Sequence, residues 1–242
     1  MEIPLRLVEE LRAARSIVAL TGSGISAESG IPTFREAQTG LWARYDPQQL
    51  ATPEAFMRDP KLVWEWYEWR RKLVGGAEPN PGHQALAKLE ERAPNFTLVT
   101  QNVDGLHHRS GSRQIIELHG NILRTVCSLE RIEVDPGQSE APPICPNCGA
   151  PLRPDVVWFG EMLPAGAMES ASEAVRGCDV FLSVGTSSLV YPAASLPYEA
   201  ISAGATVVEV NPEETPLTPR TDYTLRGTAG EMLPRLVEAA FG

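Results

Sequence analysis

Short, continuous apolar runs recur along the chain, each stopping at a polar or turn-forming residue. The run at 16–20 ends in Thr21-Gly22, and similar runs lie at 96–100, 114–118, 179–184 and 205–210. They lack the apolar/polar alternation of a half-exposed strand, which predicts strands buried on both faces. A helical stretch at 5–14 opens the chain, and others lie between most of the runs, as at 83–92 and 168–176. Strands alternating with helices predict an α/β fold on a doubly wound, Rossmann-like parallel sheet.

Two stretches break this rhythm. From about 30 to 80 there is no convincing strand: Ile31-Pro32-Thr33-Phe34-Arg35 reads as a loop, followed by tryptophan-rich helices such as the amphipathic stretch at 63–74. Between about 124 and 152, a cysteine pair, Pro142-Pro143 and charged, hairpin-like residues read as a small zinc-ribbon-like module inserted between strands. The chain is thus expected to be one domain over 1–242 carrying both insertions, with no internal repeat and no low-complexity tail.

Bulk properties narrow the function classes. At 242 residues and 43% hydrophobic content, one sizeable packed core is expected. The net charge of −10, with no lysine/arginine run, argues against a phosphate-gripping nucleic-acid interface and suits basic peptide partners. No apolar run approaches the roughly 20 residues that span a bilayer, and Met1-Glu2-Ile3-Pro4-Leu5-Arg6 lacks the layout of a secretory signal, so no membrane association and a cytoplasmic location are expected. Four cysteines are too few and too unevenly spaced for a disulfide lattice, and two of them form Cys145-x-x-Cys148-Gly149.

That spacing is a zinc knuckle, in which two thiolates of one turn reach a tetrahedral ion. Cys127 could supply a third ligand; a second knuckle starting there would need cysteine at 130, where the chain has Glu130. Any zinc held by Cys127, Cys145 and Cys148 is expected to be structural, and Cys178, beside a buried strand, to be a core thiol.

Other motifs sit at strand ends. Gly22-x-Gly24-x-x-Ala27 follows a strand as the phosphate-binding turn of a dinucleotide fold does. The acidic residue expected about 20 positions on has no strand to carry it, which disfavours a hydride-transferring dehydrogenase but not a bound dinucleotide; Asn211 is the better ribose contact. Gln101-Asn102-Val103-Asp104-Gly105 follows another strand, although Asn and Asp also favour plain turns. His119-Gly120 is delivered to the same edge, and its imidazole is the best general-base candidate in the chain. His83, His107 and His108 are read as structural or solvent-facing, without converging polar company. On the helix at 63–74, Tyr67 and Arg70 share a face, where a phenol and a guanidinium can converge on a small anion such as a carboxylate. Aromatic core packing is the competing account of the same helix.

Taken together, the residues from Thr21 through Arg35, Gln101-Asn102-Val103-Asp104, His119-Gly120, the block from Pro154 to Glu161, Gly185-Thr186-Ser187 and Asn211-Pro212 resemble the sirtuin family of NAD-dependent protein lysine deacylases, in that family's order. The resemblance spans nearly the whole chain. The departures are Ser23, where many members have alanine, and the missing fourth cysteine. The Tyr67-x-x-Arg70 pair resembles the class III desuccinylase and demalonylase type of prokaryotes, which accepts acetyl groups as well.

The resemblance implies that NAD is consumed. The acyl-lysine oxygen attacks C1′ of the nicotinamide ribose, nicotinamide leaves, an imidate forms, His119 acts as general base through the ribose hydroxyls, and O-acyl-ADP-ribose is released. Asn102 and Asp104 join His119 as catalytic residues, orienting the nicotinamide half beside Gln101 and Val103. Gly22, Ser23, Gly24, Ile25, Ser26 and Ala27 would hold the pyrophosphate, Phe34 would cover the reacting face, and Arg35 and Trp42 would complete the cofactor loop. Gly185, Thr186, Ser187, Asn211, Pro212 and Glu213 would meet the ribose side, with Ala229 at the adenine end. Tyr67 and Arg70 would bind the acyl group. Val157, Trp158, Phe159, Gly160 and Glu161 would pair with an extended acylated-lysine peptide by strand addition, a mode with little sequence preference. Two rivals are an NAD-cleaving or ADP-ribosylating enzyme on the same scaffold and a noncatalytic NAD- or peptide-binding module.

Overall fold

Apolar residues one helical turn apart form α1 (Leu5–Ala13), which buries Leu7, Val8 and Leu11 and leads into β1 (Ser16–Thr21), buried from Ile17 onward. This is a computed structural model and describes residues 2–32, 46–137 and 141–242. After the short α2 (Gly24–Ala27), the described part of the first insertion is helical: α3 (Pro47–Leu50), α4 (Pro53–Arg58) and α5 (Pro60–Gly76), followed by α6 (Pro81–Arg92). Three of these starts are written in the sequence as cap-then-proline. Thr52, Asp59 and Asn80 accept from Ala55, Leu62 and Gly82 amides at 3.1, 3.0 and 2.9 Å. The following proline presets φ and has no N–H to satisfy.

The chain continues through β2 (Asn95–Thr100), α7 (Leu106–Arg109), β3 (Ile115–Glu117), β4 (Gly120–Cys127), β5 (Leu152–Val156), α8 (Ala167–Arg176) and β6 (Val180–Val184). It ends with α9 (Leu196–Ala203), β7 (Thr206–Val210), β8 (Tyr223–Leu225) and α10 (Ala229–Phe241). All five predicted strands are present. The pattern misses β8, because three residues are too few to form a readable run.

Six strands form one sheet in the order β3-β2-β1-β6-β7-β8, with every pairing parallel. Alternate side chains of the same strands enter two cores. Ile17, Ala19, Leu98, Leu182 and Val208 pack under α1, α6 and α10, whereas Val18, Leu20, Val99, Phe181 and Val207 pack under α8 and α9. Burial on both faces is why these strands carry no alternation. The sheet is therefore the expected doubly wound, Rossmann-like one.

The cysteine-bearing segment is built on β4 and β5, an antiparallel pair running from Gly120↔Val156 to Cys127↔Leu152. Helix α5 joins this pair to the helical layer. Its Val63, Trp66 and Tyr67 cluster with Ile122, Val156 and Trp158, and its Trp64 packs on Cys127, Cys145 and Leu152. Among the described residues, no helix is long and apolar enough to cross a membrane.

Candidate functional site

From β1 the chain winds toward β3 on one side, and from β6 toward β8 on the other, so the sheet reverses between β1 and β6. Open parallel sheets bind ligands beyond the carboxyl ends of their strands at such a point. Here the two loops interlock. Gly22 N–H donates to the Val184 carbonyl at 3.0 Å and Gly24 N–H to the Gly185 carbonyl at 2.8 Å. A Cβ on Gly24 would stand 2.7 Å from the Gly185 oxygen, and Gly185 itself has φ +57°. These glycines, read as making room for a pyrophosphate, are first required by loop-on-loop contact, and two of the turn's amides are already engaged there. The Ile25 side chain is in the core, while Ser23 and Ala27 are exposed.

The loop after β2 lies against this turn. Asn102 Nδ2 donates to the Gly22 carbonyl and to Ser26 Oγ, both at 3.1 Å, and Ser26 Oγ donates to Asp104 Oδ2 at 2.7 Å. Burial pushes the Asp104 carboxyl up, opposed by the Leu106 amide, the Ser26 hydroxyl and the nearby Arg70 charge. Thr186 joins three strand ends. Its hydroxyl accepts from Gln101 Nε2 at 3.1 Å and its carbonyl from Asn211 Nδ2 at 2.9 Å. Val103 instead packs against the cluster around α5.

His83 and His107 do have converging polar company, contrary to the sequence reading. His83 Nδ1 accepts from the Asn80 amide at 3.3 Å, which leaves the Nε2 proton to point at Ser26 Oγ, 3.4 Å away. His107 Nε2 lies 2.9 Å from Thr21 Oγ1, whose own proton goes to Thr100 Oγ1 at 2.8 Å. The two rings lie 4.8 Å apart, and burial lowers both pKa values, that of His83 to about 4. Sequence distance hid this pair, although a threonine closing each of two apolar strands was a visible signal. His108 is half-exposed, 3.4 Å from Glu117.

His119 lies between β3 and β4, immediately before Gly120. Its Nδ1 lies 2.9 Å from the Gln101 carbonyl, which can only accept, so Nδ1 carries the proton and Nε2 is left as the proton acceptor. Burial pushes this imidazole below its usual range, with the Gln101 bond acting against it. The side chain is therefore neutral near pH 7, in the tautomer a general base requires.

Tyr67 and Arg70 share a face of α5 as predicted. The guanidinium carbon stands 5.6 Å from the Tyr67 ring centroid and 5.1 Å from that of Trp66. Burial raises the Tyr67 hydroxyl and lowers the Arg70 guanidinium from their usual ranges. Tyr67 is also a core residue, so the two accounts of this helix are compatible.

In the segment expected to add a peptide strand, most amides are already engaged within the protein. The amides of Val157, Phe159 and Glu161 donate to the carbonyls of His119, Ala51 and Trp158, and the Trp158 amide donates to Glu161 Oε2. The Trp158 side chain is buried and bonded to Tyr67, whereas Phe159 is exposed. Glu161 pairs with buried Arg153, a partner the sequence did not indicate.

In the cysteine module, ligand atoms of Cys127, Glu130, Cys145 and Cys148 all lie within 4.8 Å of one another. Position 130, read as a gap in the ligand set, thus brings a carboxylate to it. The Glu130 amide donates to Cys127 Sγ at 3.4 Å and holds that thiol below its usual range. Three sulfurs and one carboxylate oxygen suit a tetrahedral zinc. Cys178 is a core thiol bonded to the Val175 carbonyl.

After β7, Asn211 Oδ1 accepts from the Glu213 amide at 3.3 Å, and Pro212 and Glu213 are exposed; Ser187, after β6, is half-buried. Ala229 is buried in the core at the start of α10. Phe34, Arg35 and Trp42 lie outside the described residues.

A model of the Sir2 family matches residues 22–192. A protein of Aquifex aeolicus named NAD-dependent protein deacylase is 56% identical over 226 residues, covering 92% of this chain and 94% of that one. A solved Sir2 homologue in complex with NAD superposes with a TM-score of 0.92 at 48% identity, covering 99% of this chain and 94% of that one. A Sir2 structure with a p53 peptide and NAD+ gives 0.86 at 32% identity, with 96% of each chain covered. With the interlocked glycine turn, the Asn102 and Asp104 cluster and His119 on one sheet edge, and relatives this similar along its length, the chain belongs to the Sir2 family.

Proposed function

We propose that this protein removes acyl groups from lysine side chains of proteins with consumption of NAD, yielding nicotinamide and O-acyl-ADP-ribose, and that it accepts succinyl and malonyl as well as acetyl groups. The observation that carries the catalytic reading is His119, neutral and fixed through Nδ1 to the loop after β2, at the carboxyl edge of the sheet. Bound NAD supplies the electrophilic ribose carbon. The protein's part is to orient and to move a proton: Asn102 and Asp104, braced by Ser26, face the nicotinamide half, and His119 Nε2 takes a proton relayed by the ribose hydroxyls. Thr186, Ser187 and Asn211 stand on the ribose side.

Tyr67 and Arg70 read the acyl group. A carboxylate sunk into a pocket without a counter-charge carries a desolvation penalty of several kcal/mol, and a buried guanidinium opposes it. Cys127, Glu130, Cys145 and Cys148 would hold a structural zinc that stabilises the β4–β5 module against α5.

Side-by-side turnover of acetyl, succinyl and malonyl versions of one peptide, with nicotinamide and deacylated peptide both quantified, tests this reading. All three are expected to turn over in strict dependence on NAD, and His119→Ala is expected to lose about 10²–10⁴-fold while remaining folded and NAD-binding. Nicotinamide release without any acyl-lysine peptide would favour ADP-ribosyl transfer, and near-normal turnover by folded His119→Ala would remove His119 from the mechanism.

A further inference from the structure

Trp158 is 2% exposed, and its indole Nε1 donates to Tyr67 Oη at 2.9 Å. An indole N–H can only donate, and so can a guanidinium. The Tyr67 oxygen therefore accepts from Trp158, and Arg70, whose guanidinium carbon stands 5.6 Å from the Tyr67 ring centroid, is likewise no acceptor. Its own hydrogen must point to an acceptor that neither can supply, and a carboxylate is such an acceptor.

The indole is itself held from several sides. Arg153 lies over its face, 3.2 Å from the ring centroid. That guanidinium is bidentate to Glu161 at 2.6 and 2.8 Å and donates to the Val156 carbonyl at 2.8 Å. Glu161 Oε2 also accepts the Trp158 backbone amide at 2.8 Å, and the Phe56 ring packs at 5.2 Å. A cation over the ring draws on its electrons and sharpens the indole N–H as a donor.

We propose that Trp158, clamped by Arg153 and Glu161, is a positioning residue that aims the Tyr67 hydroxyl at the distal carboxylate of a dicarboxylic acyl-lysine and so sets selectivity over acetyl-lysine. This rests on the reading of Tyr67 and Arg70 as the carboxylate-binding pair. Without the indole donor, the hydroxyl is free to rotate and its hydrogen loses its direction.

The test is the ratio of kcat/KM for succinyl over acetyl peptide. Trp158→Phe keeps an aromatic ring but removes the N–H, and should lower that ratio about tenfold, the worth of roughly one buried hydrogen bond, mainly through the KM of the succinyl peptide. In a Tyr67→Phe background the same substitution should leave the ratio where Tyr67→Phe alone puts it, since the coupling runs through the hydroxyl. Arg153→Lys keeps the charge but loses the fork. It should lower the ratio in the same direction with the indole in place, and it decides the matter if Trp158→Phe does not fold. Parallel loss with both peptides, or additive effects of Trp158→Phe and Tyr67→Phe, would overturn the role of Trp158. Arg70→Met separates the two readings. If it leaves the ratio unchanged, the carboxylate pair fails and this inference with it; if it lowers the ratio while Trp158→Phe does not, only the role of Trp158 is lost.

Discussion

His83 combines two duties that pull its titration the same way. Its Nδ1 caps α6 by accepting from the Asn80 amide, and its ring is buried beside His107 and Ser26. Protonation would bury a charge, which is why its pKa falls to about 4 from an unfolded value of about 6.5, and it would also destroy the acceptor that caps α6. Between those values the unfolded chain binds a proton that the native state refuses, so stability rises with pH there and is lost as pH falls below about 6.5. One proton corresponds to about 1.4 kcal/mol per pH unit. Urea unfolding of His83→Gln, which keeps an acceptor but cannot titrate, should therefore show a shallower loss between pH 6.5 and 4 than the parent. Equal slopes would mean that His83 does not carry this dependence. The same burial keeps His119 neutral, where it is useful chemically rather than merely tolerated.

Helix α5 is the element that connects chemistry to architecture. Its residues face three ways: Trp64 toward the cysteines, Tyr67 and Arg70 toward the proposed acyl-binding face, and Arg71 toward β4. The Arg71 guanidinium donates to the carbonyls of Ile122 and Arg124 at 2.6 and 2.8 Å and to Thr125 Oγ1 at 2.9 Å. The pair Tyr67→Phe with Arg70→Met nearly preserves volume and helix propensity. Succinyl-peptide kcat/KM should fall by at least roughly 10²-fold, since truncating a buried charged hydrogen-bond partner costs about 2–5 kcal/mol, while acetyl-peptide turnover should change far less. Parallel falls would make the pair a wall of the pocket and leave the core-packing account of α5 standing alone.

At the scale of the molecule, two long-range devices hold the functional edge in place. One is the interlock of the Gly22–Gly24 turn with Gly185, where backbone meets backbone and no side chain fits. The other is the stack from the Cys127, Glu130, Cys145 and Cys148 cluster through Trp64 to α5. Metal bound to a folded site adds to folding free energy. Exhaustive chelation should therefore lower Tm by at least about 5 °C, as ~2 kcal/mol does in a chain of this size. Purified Glu130→Ala should carry less zinc than the parent, and Glu130→Cys should carry a full equivalent. Zinc absent from freshly purified, reduced and active protein would make the cluster a metal-free packing unit.

The chain's own pattern determined its parallel sheet, its helix starts and the motifs gathered at the carboxyl edge of that sheet, because buried strands, cap-proline pairs and strand-end motifs each leave a local mark. Thr52-Pro53, Asp59-Pro60 and Asn80-Pro81 are examples, as is the shared face of Tyr67 and Arg70. What required the tertiary structure were meetings between residues far apart in the sequence. His83 with His107, Trp158 with Tyr67, Arg153 over the indole, and Glu130 within reach of Cys145 and Cys148 depend on which strands and loops pack together. Residue types show what a side chain can donate or accept, but not which partner will lie within 3 Å of it. The glycines make the same point: their presence marks a close approach, and only the packed loops show that the first thing approaching is Gly185.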